Sequence, residues 1–260
     1  MKKLLWIVVL GLLYSSNIEA ASYVFSEDRR KDCSLITKKD PTTFRTLKFF
    51  EKKKAKLFDG RSETYRESDF YLFSAKYETG GHILIEVNSE FKTKEKAEEQ
   101  ALKYGRMAGQ LPDFLRKSVL FITIHKGKPT WRADTYRKNI IIHTQRYGTS
   151  ASRTPKKCVE EVLLHESAHI ALDQALKLDK KYNDSLWHKA MKADTKFISS
   201  YAREYPYRED IAETVLWWIA IRCKTDRISK RNFKKILKYI PNRLRYLDEL
   251  NFDTYPLVCK

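Results

Sequence analysis

Few residues in this chain are of the kinds that punctuate or cross-link: 260 residues include four cysteines, eight glycines and seven prolines. The cysteines, Cys33, Cys158, Cys223 and Cys259, are widely separated, so there is no CxxC pair and no zinc knuckle can be built from them. No internal repeat or low-complexity tract is present, which leaves a repeat array without support. After the first twenty residues no apolar run is long enough to cross a bilayer. Acidic side chains are outnumbered, 33 against 51 basic ones, for a net charge of +18. Such an excess attracts polyanions such as an acidic polysaccharide, an anionic surface, nucleic acid or an acidic substrate, and does not choose among them.

What is present begins with a leader. Lys2 and Lys3 precede an apolar core from Leu4 to Leu13 and a polar stretch ending at Ala20, the pattern of a secretory signal cut after residue 20. The protein is therefore expected to be secreted, with residues 21–260 as one domain: a sheet-bearing half over 21–150 and a helical half over 151–260. In an exported chain an even number of cysteines favours two disulfides, and the sequence leaves all three pairings of the four open. Asn183-Asp184-Ser185 is a glycosylation sequon only in a eukaryotic host. No pro-segment carrying an inhibitory cysteine is visible, so no zymogen control is expected.

The expected class is α+β. Arg45 to Phe58 carries Lys52-Lys53-Lys54 and Lys56 among apolar residues and reads as a solvated strand or helix face; nothing around it suits base stacking, so no specific nucleic-acid partner is expected. Phe70 to Tyr77 and His82 to Val87, joined through Gly80-Gly81, read as a hairpin. Thr93 caps a helix from Lys94 to Met107 with Ala97, Ala101, Tyr104 and Ala108 on one stripe. Val119 to His125 and Asn139 to His143 are apolar enough for central strands. Lys126 to Lys138 reads as a loop, with Trp131 as a cleft lip. Thr154-Pro155 opens a helix through residue 173, and further helices are expected at 184–199, 208–223 and 230–239.

The chemistry concentrates in Leu164-His165-Glu166-Ser167-Ala168-His169. Four residues apart on a helix, His165 and His169 present both imidazoles to one ion, with Glu166 beside them as a non-ligating base. A catalytic zinc takes three protein ligands and keeps one position open. Residue 175 is Ala, so there is no third histidine six residues on, and the metzincin arrangement is excluded. Asp173 shares the histidines' face, but one straight helix cannot wrap three side chains around a tetrahedral ion, so Asp173 is expected to orient a ligand or a nearby Arg. Glu209-Asp210-Ile211-Ala212-Glu213 supplies the better donor: Glu209 as third ligand to Zn²⁺, and Glu213, one turn on, against a ligand imidazole. His82, His125, His143 and His188 lack partners at metal spacing.

HExxH followed by E-D-x-A-E resembles the gluzincin metallopeptidases of the anthrax lethal factor type. FISSYAREYPYREDIAE (197–213), HESAHIALD, VNSEF (87–91), LPDFLR (111–116), IHKG (124–127) and IPNRLRYLDELNFDTYP (240–256) further resemble a group of small secreted HExxH proteins over most of the chain. The resemblance implies a zincin-like fold, a small mixed sheet with a backing helix ahead of the HExxH helix. It also implies a tyrosine upstream of the third ligand that donates to the oxyanion. Tyr201, in the matching Tyr-Ala dipeptide, leads, with Tyr205 next and Tyr207 also available; Tyr201 stands one residue farther from Glu209 than the lethal factor pattern has it. In such folds an extended substrate pairs with the sheet's edge strand, which the sequence does not assign here.

The function expected is hydrolysis of a peptide or protein substrate with Zn²⁺ as cofactor, Glu166 moving the proton and the tyrosine meeting the oxyanion. Two alternatives stand beside it. One is a secreted basic protein with structural zinc that binds an acidic polysaccharide or anionic surface, motivated by Lys230, Lys234, Lys235 and Lys238 opposite Phe233, Ile236, Leu237 and Ile240. The other is an amidase acting on non-protein amides. The sequence is silent on oligomeric state.

Overall fold

The computed structural model describes residues 23–25, 35–145, 159–178 and 185–259, with only the backbone for Tyr23 and for 173–178. The expected leader, Cys33, Cys158, Thr154-Pro155 and Asn183-Asp184 lie outside the described residues. The chain is α+β, with a six-stranded mixed sheet early in the chain and helices dominating the later part.

The short strand β1 (Tyr23–Phe25) is followed by a long hairpin, β2 (Phe44–Asp59) and β3 (Thr64–Tyr77), and then by β4 (His82–Asn88). Helix α1 (Lys94–Ala108) and the single turn α2 (Asp113–Arg116) lead to β5 (Phe121–His125), β6 (Arg132–Asp134) and β7 (Asn139–His143). Strand order is β2-β3-β4-β5-β7-β6. Strands β4, β5 and β7 run parallel, while β2, β3 and β6 pair antiparallel with their neighbours.

Period-two alternation decides what each sheet face covers. Ile83, Ile85, Val87, Ile122, Ile124, Ile140 and Ile142 are buried on the helix side. There α1 lies close because Ala97, Ala101 and Ala108 face inward, and Thr93 Oγ1 caps it by accepting from Lys96 N–H. The other face is buried as well. Asp59, at the end of edge strand β2, comes within 3.7 Å of His143 on β7, although three strands separate the two in the sheet. The hairpin therefore curls across that face and lays Leu57, Phe70 and Leu72 over it. The buried carboxylate of Glu86 is matched there by Arg137, at 2.8 and 2.7 Å.

Three expectations from sequence are corrected. The stretch 126–138, read as a loop, contains β6, whose Arg-Ala-Asp sequence has no β-prone residue and is held by pairing to β7. The helix expected over 184–199 ends as α4 (Leu186–Ala193), and Phe197–Ser199 forms β8, parallel to β1. Asp194 stops α4 by serving another helix: its Oδ1 accepts from the backbone N–H and side chain of Asn242, at the start of α8 (Pro241–Glu249). Third, α6 (Asp210–Cys223) begins one residue after Glu209, which is its N-cap and not a position within the helix.

The HExxH helix is α3 (Val159–Leu178). It packs on α6, and Leu163, Leu164 and Ala168 of α3 share one buried core with Ile211, Val215 and Ile219 of α6, each large aliphatic contributing about 1.5–3 kcal/mol. Helix α5 (Ser200–Glu204) precedes α6, and α7 (Lys230–Tyr239) starts at a Ser229 cap, as its sequence predicts. Buried Arg243 of α8 pins the α6 start, donating to Asp210 at 2.9 Å and to Asp194 at 3.3 Å. Cys223 is disulfide-bonded to Cys259. Among the described residues no helix is long and apolar enough to cross a membrane.

Candidate metal centre

Helix α3 brings His165 and His169 to one face, and the turn before α6 brings Glu209 across to them. Glu209 Oε2 lies 3.2 Å from His165 Nε2 and 3.1 Å from His169 Nε2, and the two Nε2 atoms are 3.1 Å apart. Donors about 2.0–2.1 Å from a tetrahedral ion stand about 3.3–3.4 Å from one another. The triangle observed is therefore the size a single ion needs, and two imidazoles with one carboxylate are the donor set of open catalytic zinc sites. Among the described residues this is the one group of three or more His, Cys, Asp or Glu so disposed.

The surrounding groups hold this triangle. Glu213 Oε1 lies 3.2 Å from His165 Nδ1, so the carboxylate expected one turn along α6 reaches the imidazole of His165. Burial alone would lower the pKa of His165; Glu209 and Glu213 outweigh it and the imidazole is raised. Burial alone would raise Glu209, but the two histidines hold it far below the usual carboxylate range. Asp173 lies on the α3 backbone with its side chain undescribed, so its orienting role stays an expectation.

Glu166 is buried and raised above its ordinary value, chiefly by burial, with the charges of His165 and His169 opposing. The backbone N–H of Ala133, in β6, contacts its carboxylate. Of the three tyrosines, Tyr201 lines the cleft over the site. Its hydroxyl is raised in pKa by burial and by Glu209 alongside it. Tyr205 and Tyr207 are 39% and 47% exposed; one stacks edge-on to Tyr201 and the other sits against His188.

The cleft itself, about 890 Å³, follows the outer edge of β6. His165, Glu166, His169, Glu209 and Tyr201 line it on one side, and Phe58, Gly60, Trp131 and His143 on the other. Trp131, expected as a cleft lip, is buried and fixed by donation from Nε1 to the His143 carbonyl at 3.1 Å. The sequence reading missed the hairpin tip, because Phe58 to Glu63 reaches the site only through the curl of β2–β3. Arg208 was also missed; it donates from Nε to Glu209 Oε1 at 2.7 Å. Its adjacency to Glu209 was the available signal. His125 and His143 are not in the triangle; they stack on each other with ring centroids 5.5 Å apart.

No family model matches this chain, and neither a curated protein nor a solved structure does.

Proposed function

We propose that the protein is an exported zinc-dependent hydrolase of peptide bonds, of the gluzincin kind, with His165, His169 and Glu209 as metal ligands. The observation that carries this reading is one open cleft in which a three-donor triangle, a buried Glu166 and the Tyr201 hydroxyl adjoin β6, an edge strand among the described residues. Zinc bound there would supply Lewis acidity toward a carbonyl and lower the pKa of water. Glu166, raised by burial, is suited to take a proton and pass it to a leaving amine. Tyr201 faces the same space with a hydroxyl able to donate to an oxyanion.

Strand β6 supplies the edge the sequence left unassigned. Among the described residues it pairs with β7 alone, so an extended peptide can add to its outer edge through main-chain hydrogen bonds. The contact from Ala133 N–H to Glu166 ties that edge to the proposed base. A non-protein amide would be hydrolysed by the same groups, and a substrate panel separates the two.

The test compares the parent with Glu166→Gln on a mixed peptide library, with zinc counted in both. Cleavage by the parent alone, at equal zinc content, supports the reading. Equal cleavage by both would overturn the role of Glu166.

One observation favours a second reading, retention on an acidic polysaccharide. Lys230, Arg231, Lys234 and Lys238 are exposed along one face of α7, while Ile236 and Ile240 anchor its other face in the core. With Ile236 and Ile240 buried and only Leu237 of the apolar stripe exposed, the helix offers mainly charge, so binding there would weaken steeply with salt. Salt-sensitive retention that survives Glu166→Gln and is lost when these cations become Gln would support it.

A further inference from the structure

Glu209 has two carboxylate oxygens, and the structure gives them different partners. Oε2 faces both histidines. Oε1 accepts from Arg208 Nε at 2.7 Å. The guanidinium is held in turn by stacking over the Tyr205 ring, 4.7 Å from its centroid, and it lies beside the Tyr201 hydroxyl. Arg208 lines the cleft with 62% of its side chain exposed, so it is not part of the core. Glu209 needs such a partner because it is the N-cap of α6 and not a helix position, and no side-chain capping bond ties it to the helix it precedes.

A carboxylate free to rotate can give both oxygens to one ion, which fills the position that an open site keeps for substrate or water. A fixed planar donor on the outer oxygen prevents this, and Nε–H in the plane of the guanidinium is suited to it. Resting on the metal reading above, we propose that Arg208 is a positioning residue that restricts Glu209 to one-oxygen coordination and so keeps the metal four-coordinate with one open position. The guanidinium also contacts the Tyr201 hydroxyl, which in turn bonds the Glu209 carboxylate, so the three side chains form one network.

The test uses the full mature chain loaded with Co²⁺ in place of zinc, because visible bands of Co²⁺ are intense in four-coordinate sites and weak at higher coordination. Parent, Arg208→Ala and Arg208→Met are compared for metal content, visible spectrum and kinetics on one cleaved peptide. The proposal expects both variants to hold one Co²⁺ with clearly weakened bands. It also expects kcat to fall about 10–100-fold, the usual range for partners of metal ligands, with KM little changed. Parent-like spectra in either loaded variant overturn the proposal and leave the metal reading intact. A parent chain that takes up no Co²⁺ overturns both.

Discussion

At the scale of single residues, the site depends on carboxylates whose roles differ by what each touches. Glu166 bonds the edge strand and no ligand, Glu209 faces both imidazoles, and Glu213 lies behind His165. Replacing Glu213 by Ala removes the group that orients His165 without removing a donor. Titration with a competing chelator should show zinc affinity about 10–100-fold weaker, and unchanged affinity would show that Glu213 does not act through His165. The sequence made this much legible because helical spacing alone puts His165 beside His169 and Glu213 one turn beyond Glu209. Its one sign of Arg208 was adjacency to Glu209, a weak one because an arginine next to a glutamate is ordinary on a helix surface, and here it matters because Glu209 falls just before the helix.

Elements carry the parts of the site that spacing cannot show. The β2–β3 hairpin is long enough to curl over the sheet and deliver Phe58, Gly60 and Glu63 to a cleft built mainly from the far edge. Gly60 is needed there, because a Cβ would stand 2.8 Å from His143 Cε1 and 3.2 Å from Pro129 Cβ. Gly60→Ala should cost about 1–3 kcal/mol by overpacking and raise KM, with zinc retained; an unaltered KM would detach the hairpin tip from substrate binding. Alternation and apolar runs revealed β3, β4, β5 and β7, and a small-residue stripe revealed α1. Strand β6 and the end of α4 were hidden because tertiary partners set them: β7 holds a three-residue strand of poor propensity, and Asp194 is taken up by α8.

A buried ion cluster joins distant elements. Asp40 accepts from Arg227 at 2.6 and 2.7 Å and from Lys224 at 2.7 Å, linking the segment before β2 to the turn after α6. Burial alone would raise the Asp40 carboxyl, but these cations and the Thr37 N–H hold it far below the usual range. A depressed folded pKa means that the stabilisation is present above about pH 4, the unfolded value, and is lost as pH falls below that. Asp40→Asn should cost about 3 kcal/mol at neutral pH and flatten the acid limb of the stability curve measured by denaturant unfolding. An unchanged acid limb would show that other carboxylates govern it.

On the scale of the whole molecule, a chain with net charge +18 is bound together late in its sequence by a disulfide spanning 36 residues. Of the three pairings the four cysteines allow, the Cys223–Cys259 bond is the one described. Non-reducing peptide mapping should return it, and a link from Cys223 to Cys33 or Cys158 would contradict it. Changing both Cys223 and Cys259 to Ser should cost about 2–4 kcal/mol, as expected for a loop of this length. The class, α+β with sheet elements before helices, was readable from pattern alone. The curl of the hairpin was not, because it follows from strand twist and from contacts between residues some eighty positions apart.

The most direct test of the central claim is zinc per molecule, by native mass spectrometry, in the parent, Glu166→Gln and His169→Ala after metal is stripped and zinc restored. One zinc is expected in the parent and in Glu166→Gln, and none in His169→Ala. A parent that takes up no zinc, or a His169→Ala variant that keeps it, would contradict the assignment of the site.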